Sequence, residues 1–340
     1  NHKASYDLVK KMRASFWVLA PLLAKSGYAE VSLPGGCAIG TRPIDLYLKI
    51  LKEMNINYTI NNGYIVAKRE GPIKGLNFKL EKRSVGCTHF FLMLACLANG
   101  TSKLSNASCE PEVIHLGLLL NKMGAKIKGL GSKKIIIEGV KKLNGVTEII
   151  PSDRIETGTF AIAVSATGGK VKLENTNYEE NKLLFNILER TGSIINKSKN
   201  SISIEKIHNE IQSVNITTSH YPGFPTDLQA QIMALMTIAN GKSEIKENIF
   251  ENRFMHVQEL VRMGSNIKLD KDRAIVKGVK ELNGANVMAT DLRASASLII
   301  AGLVATGITR ISRIYHLDRG FYNLENKLNN CGASIKRISE

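Results

Sequence analysis

Aromatic residues and paired cysteines are scarce in this chain of 340 residues. Aromatic side chains make up 6% of it, with a single tryptophan, although the net charge is +16. Proteins that read RNA or DNA usually interleave aromatic side chains with their basic clusters, so we do not expect a nucleic-acid partner. The five cysteines, at positions 37, 87, 96, 109 and 331, show no disulfide rhythm and no paired metal spacing, which favours a reducing compartment.

Long hydrophobic runs are missing as well. The longest ones, at 90–98 and 297–305, fall far short of the roughly 20 residues that a membrane span needs, and no signal-peptide pattern opens the sequence. We therefore expect a cytoplasmic protein without a membrane partner. The histidines at 89, 115 and 256 have no ligand-like neighbours at close spacing, so we expect no metal site.

Positive charge is concentrated in the first half of the chain. Residues 1–150 contain 22 Lys and Arg against 10 Asp and Glu, a net +12, whereas residues 151–340 contain 24 against 20, a net +4. Much of the lysine is typical of solvated surface. The remaining excess favours a small polyanionic substrate.

One pattern recurs five times along the chain. An apolar helical segment that ends in glycine is followed by a short strand-like run, an amphipathic helix and, in most copies, two further strands. The glycines that end the apolar segments are 66 to 73 residues apart, at positions 27, 100, 169, 241 and 307. A helix that is apolar on all faces must be buried on all faces, so we predict an α/β fold with these helices at its centre. A change of composition at 151–154 marks the expected boundary between two halves.

The stretch from Leu33 to Tyr47 carries an unusual cysteine. Pro34 and three nearby glycines rule out a helix and favour a loop, which leaves Cys37 without a run of apolar neighbours to bury it. Arg42 follows five residues later and could stabilise a thiolate. Two interpretations stay open at this point, a small buried hydrophobe and a reactive thiol.

Polar residues mark the starts of the predicted helices. Arginine at a helix N-terminus is disfavoured by the helix dipole unless a bound anion lies in front of both. The repeated placement predicts an anion-rich cleft; the alternative is that each arginine pairs with a surface carboxylate such as Asp291 or Asp318. The apolar helices are predicted to begin near Arg13, Ser84, Arg154, Thr226–Asp227 and Arg293, and the amphipathic ones near Arg42, Glu110, Arg253 and Arg319.

Seven long motifs run through the chain from its first residues to its last. They are 6–15 (YDLVKKMRAS), 34–43 (PGGCAIGTRP), 153–158 (DRIETG), 224–231 (FPTDLQAQ), 251–256 (ENRFMH), 289–297 (ATDLRASAS) and 313–320 (RIYHLDRG). In this order they resemble the UDP-N-acetylglucosamine 1-carboxyvinyltransferases, enolpyruvyl transferases that open bacterial peptidoglycan synthesis. The resemblance implies a two-domain inside-out α/β barrel of repeated β-α-β-α-β-β units, the fold of EPSP synthase. The first domain would be residues 1–151, incomplete and carrying the cysteine loop, and the second would be residues 152–340.

The reaction that the resemblance implies moves the enolpyruvyl group of phosphoenolpyruvate to the 3-hydroxyl of UDP-N-acetylglucosamine and releases phosphate. Cys37 matches the loop cysteine that protonates C3, can form a covalent adduct with phosphoenolpyruvate and reacts with fosfomycin. Asp227 matches the carboxylate that contacts the sugar hydroxyl and is the candidate base. A helix start and nearby arginines would lower the pKa of Asp227, so its alternative role is to orient the hydroxyl, with Thr226 as the helix cap.

By the same match, two sets of residues would bind the substrates. The UDP-sugar would be bound by Arg13, Arg42, Pro43, Ile44, Asp45, Leu46, Lys82, Arg83, Ser84, Val85, Asp227 and Ile249. The anions of phosphoenolpyruvate and of its adduct would be bound by Arg42, Arg253, Arg293 and Arg319. No metal or cofactor is implied, and the expected state is a monomer.

The chain departs from the family pattern in two places. Tyr47 stands where the family often has histidine, which could alter contacts at the nucleotide. The family's first repeat unit, with its opening Lys-Asn pair, has no counterpart in this sequence. We therefore expect the first domain to expose Phe16, Trp17 and Leu19 or their neighbours, and the chain alone to be aggregation-prone and nearly inactive. Two other functions remain open, the related enzyme that uses shikimate 3-phosphate and an inactive truncated remnant that keeps the fold and binds UDP-sugar or a partner.

Overall fold

The computed structural model describes residues 2–34, 44–207 and 210–338. By their backbone contacts these residues form two units, the first covering 2–34 and 44–150 and the second covering 151–207 and 210–338. The chain passes between them at Ile150 and Pro151, in a stretch that has neither helix nor strand from 139 to 153. Within the described ranges, no helix has the length and apolar character needed to cross a membrane.

The first unit contains two four-stranded sheets. Its helices are α1 (Tyr6–Val9), a 3₁₀ helix (Arg13–Val18), α2 (Leu19–Ser26), α3 (Asp45–Glu53), α4 (Val85–Ala95) and α5 (Pro111–Lys122). Its strands are β1 (Lys3–Ala4), β2 (Tyr28–Ser32), β3 (Ile56–Asn61), β4 (Tyr64–Arg69), β5 (Asn77–Lys79), β6 (Thr101–Ser105), β7 (Lys126–Lys128) and β8 (Lys134–Glu138). The sheet orders are β1-β2-β4-β3 and β5-β6-β8-β7.

The second unit repeats this architecture with three sheets. Its helices are α6 (Arg154–Thr167), a 3₁₀ helix (Glu179–Asn181), α7 (Lys182–Arg190), a 3₁₀ helix (Thr226–Leu228), α8 (Gln229–Met236), α9 (Val257–Arg262), α10 (Leu292–Val304), a 3₁₀ helix (Ile314–Arg319) and α11 (Leu324–Asn330). Its strands are β9 (Gly169–Glu174), β10 (Ile194–Lys197), β11 (Ser201–Lys206), β12 (Ile216–Thr217), β13 (Lys242–Lys246), β14 (Asn266–Asp270), β15 (Arg273–Lys277), β16 (Asn286–Met288) and β17 (Arg310–Ser312). The sheet orders are β10-β11-β9, β12-β13-β15-β14 and β16-β17.

The predicted repeat is confirmed. The order helix, strand, helix, strand, strand occurs in α2-β2-α3-β3-β4, α4-β6-α5-β7-β8, α6-β9-α7-β10-β11 and α8-β13-α9-β14-β15, and α10-β17-α11 begins a fifth copy. In each full copy the last strand pairs antiparallel with both of the others. Four short strands, β1, β5, β12 and β16, precede copies and pair parallel with β2, β6, β13 and β17. The residue pattern did not mark these strands, because two or three residues carry no periodicity.

The apolar helices lie in the interior of their units, as predicted. All eight residues of α8 are buried, and so are eight of the eleven in α4, including Cys87. Cys96, directly after α4, is buried too. Amphipathic helices such as α7 bury one face only. Because each fully buried Leu or Phe side chain contributes about 1.5–3 kcal/mol, these central helices supply much of the stability of each unit.

The expected exposure of Phe16 and Leu19 is wrong. Phe16 is 2% exposed and Leu19 is fully buried, because Phe16 packs edge-on against Tyr47 at 5.3 Å and α2 packs on α4 within the same unit. Trp17 is partly buried. Among the neighbours, Val18 is 38% exposed. Phe16 and Leu19 therefore find their apolar partners inside the first unit, whereas Met12 (52% exposed) and Val18 remain exposed.

Candidate anion-binding site

Two arginines converge on one carboxylate in the second unit. Asp227 lies in the 3₁₀ helix that leads into α8, Arg253 lies in the turn before α9, and Arg293 is the second residue of α10. Nη2 of Arg253 is 2.6 Å from Oδ1 of Asp227, and Nε of Arg293 is 3.4 Å from the same oxygen. The repeat thus brings together three of the residues that the sequence assigned to the site.

Burial differs sharply among these three side chains. Arg253 is 4% exposed and Arg293 is 15% exposed, whereas Asp227 remains 42% exposed. Burial raises the pKa of Asp227, but the charges of Arg293 and Arg253 and their hydrogen bonds outweigh it and hold that pKa well below its ordinary value. The carboxylate is therefore ionised and, in this arrangement, a weak base. Two guanidinium groups facing one carboxylate also leave a net positive charge that a substrate anion can bind.

Local hydrogen bonds set the position of Arg293. The carboxylate of Asp291 caps α10, because its Oδ1 accepts from the backbone N–H of Arg293 at 2.8 Å and of Ala294 at 3.2 Å. The guanidinium of Arg293 lies over the ring of Phe321 at 5.9 Å. Asp291 is thus committed to the helix terminus, and Arg293 pairs with Asp227 rather than with the surface carboxylate that the sequence offered as an alternative.

Glu247 is a buried carboxylate that sequence reasoning missed. It is 5% exposed and accepts hydrogen bonds from the hydroxyls of Thr218 and Thr226, both at 2.9 Å. It also accepts from the backbone N–H of Ile249 at 2.8 Å and of Phe250 at 3.1 Å. Glu247 thereby ties the segment before Asp227 to the segment that leads to Arg253. The only sequence signal was an acidic residue directly after the short strand β13, which reads KSEIK.

The expectation that Thr226 caps the helix is wrong. Its hydroxyl donates to Glu247, and the 3₁₀ helix that begins at Thr226 has Pro225 before it and no side-chain cap. A buried carboxylate accepts a charge-assisted hydrogen bond, which is stronger than a neutral cap. The backbone of Asp227 is held instead by Gln231, whose Nε2 donates to the Asp227 carbonyl at 2.9 Å.

Arg319 belongs to a segment that packs against the N-terminal end of α10, the helix that carries Arg293. It ends the 3₁₀ helix Ile314–Arg319, which packs against α10, and its side chain is exposed. A Cβ on Gly320 would lie 2.7 Å from Leu292, the first residue of α10, so glycine is what allows this close approach. Among the described residues, none forms an ion pair or hydrogen bond with the guanidinium of Arg319, and the ion pairs of Asp227 are with Arg253 and Arg293.

The described UDP-sugar residues predicted in the first unit lie at or near three helix starts, those of the first 3₁₀ helix, α3 and α4. Ser84 caps α4, its hydroxyl accepting from the N–H of Cys87 at 3.2 Å. Arg13 begins the first 3₁₀ helix and is partly buried. The other described members of this set range from exposed (Asp45, Lys82) to partly buried (Ile44, Leu46, Arg83, Val85). Ile249, the remaining member, lies in the second unit beside Glu247.

Tyr47 is a core residue of the first unit. It is 6% exposed, and its ring meets the rings of Phe16 and Phe90 edge-on at 5.3 and 5.2 Å. Its hydroxyl oxygen accepts from Nε1 of Trp17 at 3.3 Å, and burial raises its pKa. A Cβ on Gly86 would lie 2.2 Å from that oxygen. Tyr47 therefore fits only because residue 86, at the start of α4, is glycine.

Cys37, Arg42 and Pro43 lie outside the described residues. Among the residues that are described, no three His, Cys, Asp or Glu side chains come together as possible metal ligands. In the second unit, the described candidate residues are Asp227 and the arginines around it. In the first unit, the described candidate residues lie at or near helix starts.

Comparison with known proteins places this geometry in a family. Residues 1–328 match the family model of EPSP synthase (3-phosphoshikimate 1-carboxyvinyltransferase). The UDP-N-acetylglucosamine 1-carboxyvinyltransferase of Methylobacterium radiotolerans is 55% identical over 335 residues, which is 98% of this chain and 78% of the relative. The protein of the same name from Rhodopseudomonas palustris is 54% identical over 336 residues, 99% of this chain and 78% of the relative.

Solved structures agree on the fold. The enolpyruvyl transferase NikO from Streptomyces tendae superposes with a TM-score of 0.85 at 21% identity, covering 99% of this chain and 80% of that one. An EPSP synthase from Acinetobacter baumannii gives a TM-score of 0.71 at 19% identity, covering 94% and 77%. The repeat, the fold and the sequence matches lead to one conclusion, that the chain belongs to the EPSP synthase family of enolpyruvyl transferases.

Proposed function

We propose that this chain transfers the enolpyruvyl group of phosphoenolpyruvate to the 3-hydroxyl of UDP-N-acetylglucosamine and releases phosphate. The name that relatives carry at 54–55% identity over 98–99% of the chain supports this reaction. The structural observation that carries it is the convergence of Arg253 and Arg293 on Asp227. An inactive remnant is disfavoured, because a remnant has no need to keep two desolvated arginines beside a half-buried carboxylate.

The reaction needs fixed cations and a group that handles the sugar hydroxyl. The hydroxyl oxygen adds to C2 of phosphoenolpyruvate while C3 takes up a proton; C3 then loses a proton and the C2–O bond to phosphate breaks. Arg253, Arg293 and Arg319 would bind the carboxylate and phosphate, and positive charge fixed in place stabilises the charge that develops as phosphate leaves. Cys37 would supply the proton to C3.

Asp227 would accept the hydrogen bond of the sugar hydroxyl. In the structure its basicity is low because both arginines bind it. A substrate anion that takes over hydrogen bonds from Arg293 or Arg253 would raise the pKa of Asp227 and make it a better base at the moment of reaction. Orientation of the hydroxyl and removal of its proton are then two stages of one role.

The remaining assignments follow the same proposal. The UDP-sugar would be bound by Arg13, Arg42, Pro43, Ile44, Asp45, Leu46, Lys82, Arg83, Ser84, Val85 and Ile249. Residues 1–151 would form the first enolpyruvyl-transferase domain and residues 152–340 the second. We further propose that the protein acts in the cytoplasm as a monomer, with these two substrates as its partners and no nucleic acid or membrane.

Two measurements test the proposal. Ligand binding to the native state raises the melting temperature, so UDP-N-acetylglucosamine should stabilise the chain while shikimate 3-phosphate should not. Phosphate release from phosphoenolpyruvate should depend on UDP-N-acetylglucosamine. Stabilisation by shikimate 3-phosphate alone would move the chain to the sibling reaction, and stabilisation by neither, without phosphate release, would overturn the proposal.

A further inference from the structure

Arg337 bridges two carboxylates at the edge of the second unit. Its Nη1 and Nη2 donate to the two carboxylate oxygens of Asp318 at 3.0 and 2.8 Å. Its Nε and Nη2 donate to those of Glu325 at 2.7 and 3.2 Å. All three nitrogens of the guanidinium are thus used in a double fork.

This arrangement is stronger than an ordinary surface ion pair. Isolated exposed pairs contribute little, but bidentate geometry and a network of several charges are the conditions under which such pairs matter. Glu325 is 19% exposed, and the hydrogen bond from Arg337 lowers its pKa. Both carboxylates raise the pKa of Arg337. Glu325 and Arg337 therefore stay ionised together over the neutral range.

Asp318 connects this network to Arg319, a candidate residue of the anion-binding site. Asp318 directly precedes Arg319, whose exposed guanidinium forms no ion pair with any described residue. The opposite charges of Asp318 and Arg319 attract each other, and this attraction grows as the distance between the charged groups falls. Both oxygens of Asp318 accept hydrogen bonds from Arg337, which holds this carboxylate in its pair with Arg337 rather than with Arg319.

Arg319 lies next to residues that pack at the start of α10, where Arg293 is located. Gly320 packs against Leu292 at the start of α10, and Phe321 lies under the guanidinium of Arg293. One short segment therefore connects Arg319 to the helix start that carries Arg293. A carboxylate released beside Arg319 would compete directly with a substrate anion.

We propose that Arg337 is a positioning residue of the anion site, which holds Asp318 in a double fork and so keeps Arg319 available for the substrate anion. The proposal rests on the proposed function for the identity of that anion, phosphoenolpyruvate or its phosphate. The proposed pairing of Asp318 with Arg337 rather than with Arg319 does not depend on the proposed function.

The test uses Arg337→Ala, Asp318→Asn and the double variant of the full chain. Phenylglyoxal modifies accessible arginines, and its rate at Arg319 can be followed by peptide mapping. Arg337→Ala should slow modification of Arg319 several-fold, because Asp318 turns to it. Asp318→Asn in the same background should restore the rate. Modification that is unchanged by Arg337→Ala, or not restored in the double variant, would overturn the proposal.

Kinetics provide the second readout. Arg337→Ala should raise the KM for phosphoenolpyruvate roughly tenfold, the scale of one lost charge-assisted contact, and the double variant should recover most of it. Arg337→Lys, which keeps the charge without the fork, should fall in between. If Arg337 only stabilises the fold, the single and double variants will be equally impaired, and that result also counts against the proposal.

Arg273→Ala is the matched control. Arg273 also faces two carboxylates, Glu244 at 3.2 Å and Asp272 at 3.8 Å, but it lies on β15, away from Arg319. Arg273→Ala should change neither the rate of phenylglyoxal modification of Arg319 nor the KM for phosphoenolpyruvate. A wild-type chain without UDP-N-acetylglucosamine-dependent phosphate release would defeat the proposed function, while the phenylglyoxal pattern would still decide the role of Arg337.

Discussion

The helix starts of the two units share one scaffold and differ in chemistry. At the start of α8 and α10, Asp227 meets two arginines and stays 42% exposed. At the start of α4, the hydroxyl of buried Tyr47 accepts from Trp17 against Gly86. The side chains around Asp227 and those around Gly86 both lie at the N-terminal ends of central helices. The repeated backbone sets these positions, and the type of side chain determines whether an anion site or a buried aromatic cluster forms there.

The largest expected effect comes from removing the charge of Asp227. Asp227→Asn should slow turnover by roughly 10²-fold or more, the usual scale for a lost general base, with UDP-sugar binding changed by less than about tenfold. Steady-state kinetics and a binding titration measure the two quantities. Glu244→Gln, an exposed carboxylate on β13, serves as control. Near-normal turnover of Asp227→Asn would restrict Asp227 to positioning.

The second prediction compares the reactivity of Cys37 with that of the buried cysteines of α4. Burial raises the pKa of Cys87, and raises that of Cys96 to about 12, so few thiolates form there at neutral pH. Fosfomycin should modify Cys37 at least about tenfold faster than either, and more so with UDP-sugar bound. Peptide mapping of the labelled protein measures this, with exposed Cys331 as the reference for simple accessibility. Equal labelling of Cys37, Cys87 and Cys96 would assign Cys37 to the buried class.

Adding a methyl group at residue 86, beside Tyr47 and Trp17, should lower the free energy of unfolding. Gly86→Ala places a Cβ 2.2 Å from the Tyr47 oxygen and 3.0 Å from Nε1 of Trp17. Overpacking of this kind costs about 1–3 kcal/mol in the free energy of unfolding. Tyr47→Phe removes the hydroxyl, so Gly86→Ala should cost less in that background. Denaturant unfolding of the two single variants and the double variant gives the coupling, and strictly additive changes would show that the hydroxyl is not what excludes a side chain at residue 86.

The smallest effect concerns pH. His256 is buried in the second unit, and desolvation lowers its pKa, with nearby Asp291 opposing the shift and Arg253 adding to it. The unfolded chain takes up a proton near pH 6.5, whereas the folded chain does so only at lower pH. Stability should therefore fall as pH drops below about 6.5, by at most about 1.4 kcal/mol per pH unit.

Unfolding at pH 7, 6 and 5 measures this slope for the wild type and for His256→Gln. The variant should show a shallower slope, because glutamine does not titrate. An identical slope in both proteins would show that another group carries the pH dependence. His316, whose pKa is also lowered by burial, is the control position.

Much of the fold could be read from the sequence because its signals are local. Apolar periodicity identified the central helices, and glycine spacing identified the repeat; both survive in the structure. The short strands such as β12 were not marked, since two residues carry no period and form only when a parallel partner is present. The burial of Phe16 also escaped prediction, because it depends on Tyr47, which is distant in sequence.

The sequence by itself determined which residues stand at the helix starts, including Asp227, Arg253 and Arg293, and which family they resemble. Only the tertiary structure decided their partners. Asp227 binds two arginines, Glu247 takes the hydroxyl of Thr226, and Asp318 binds Arg337 instead of its neighbour Arg319. The physical reason is range: helix propensity and amphipathicity act over a few residues, whereas ion pairs and hydrogen bonds are chosen among all groups that folding brings within about 4 Å.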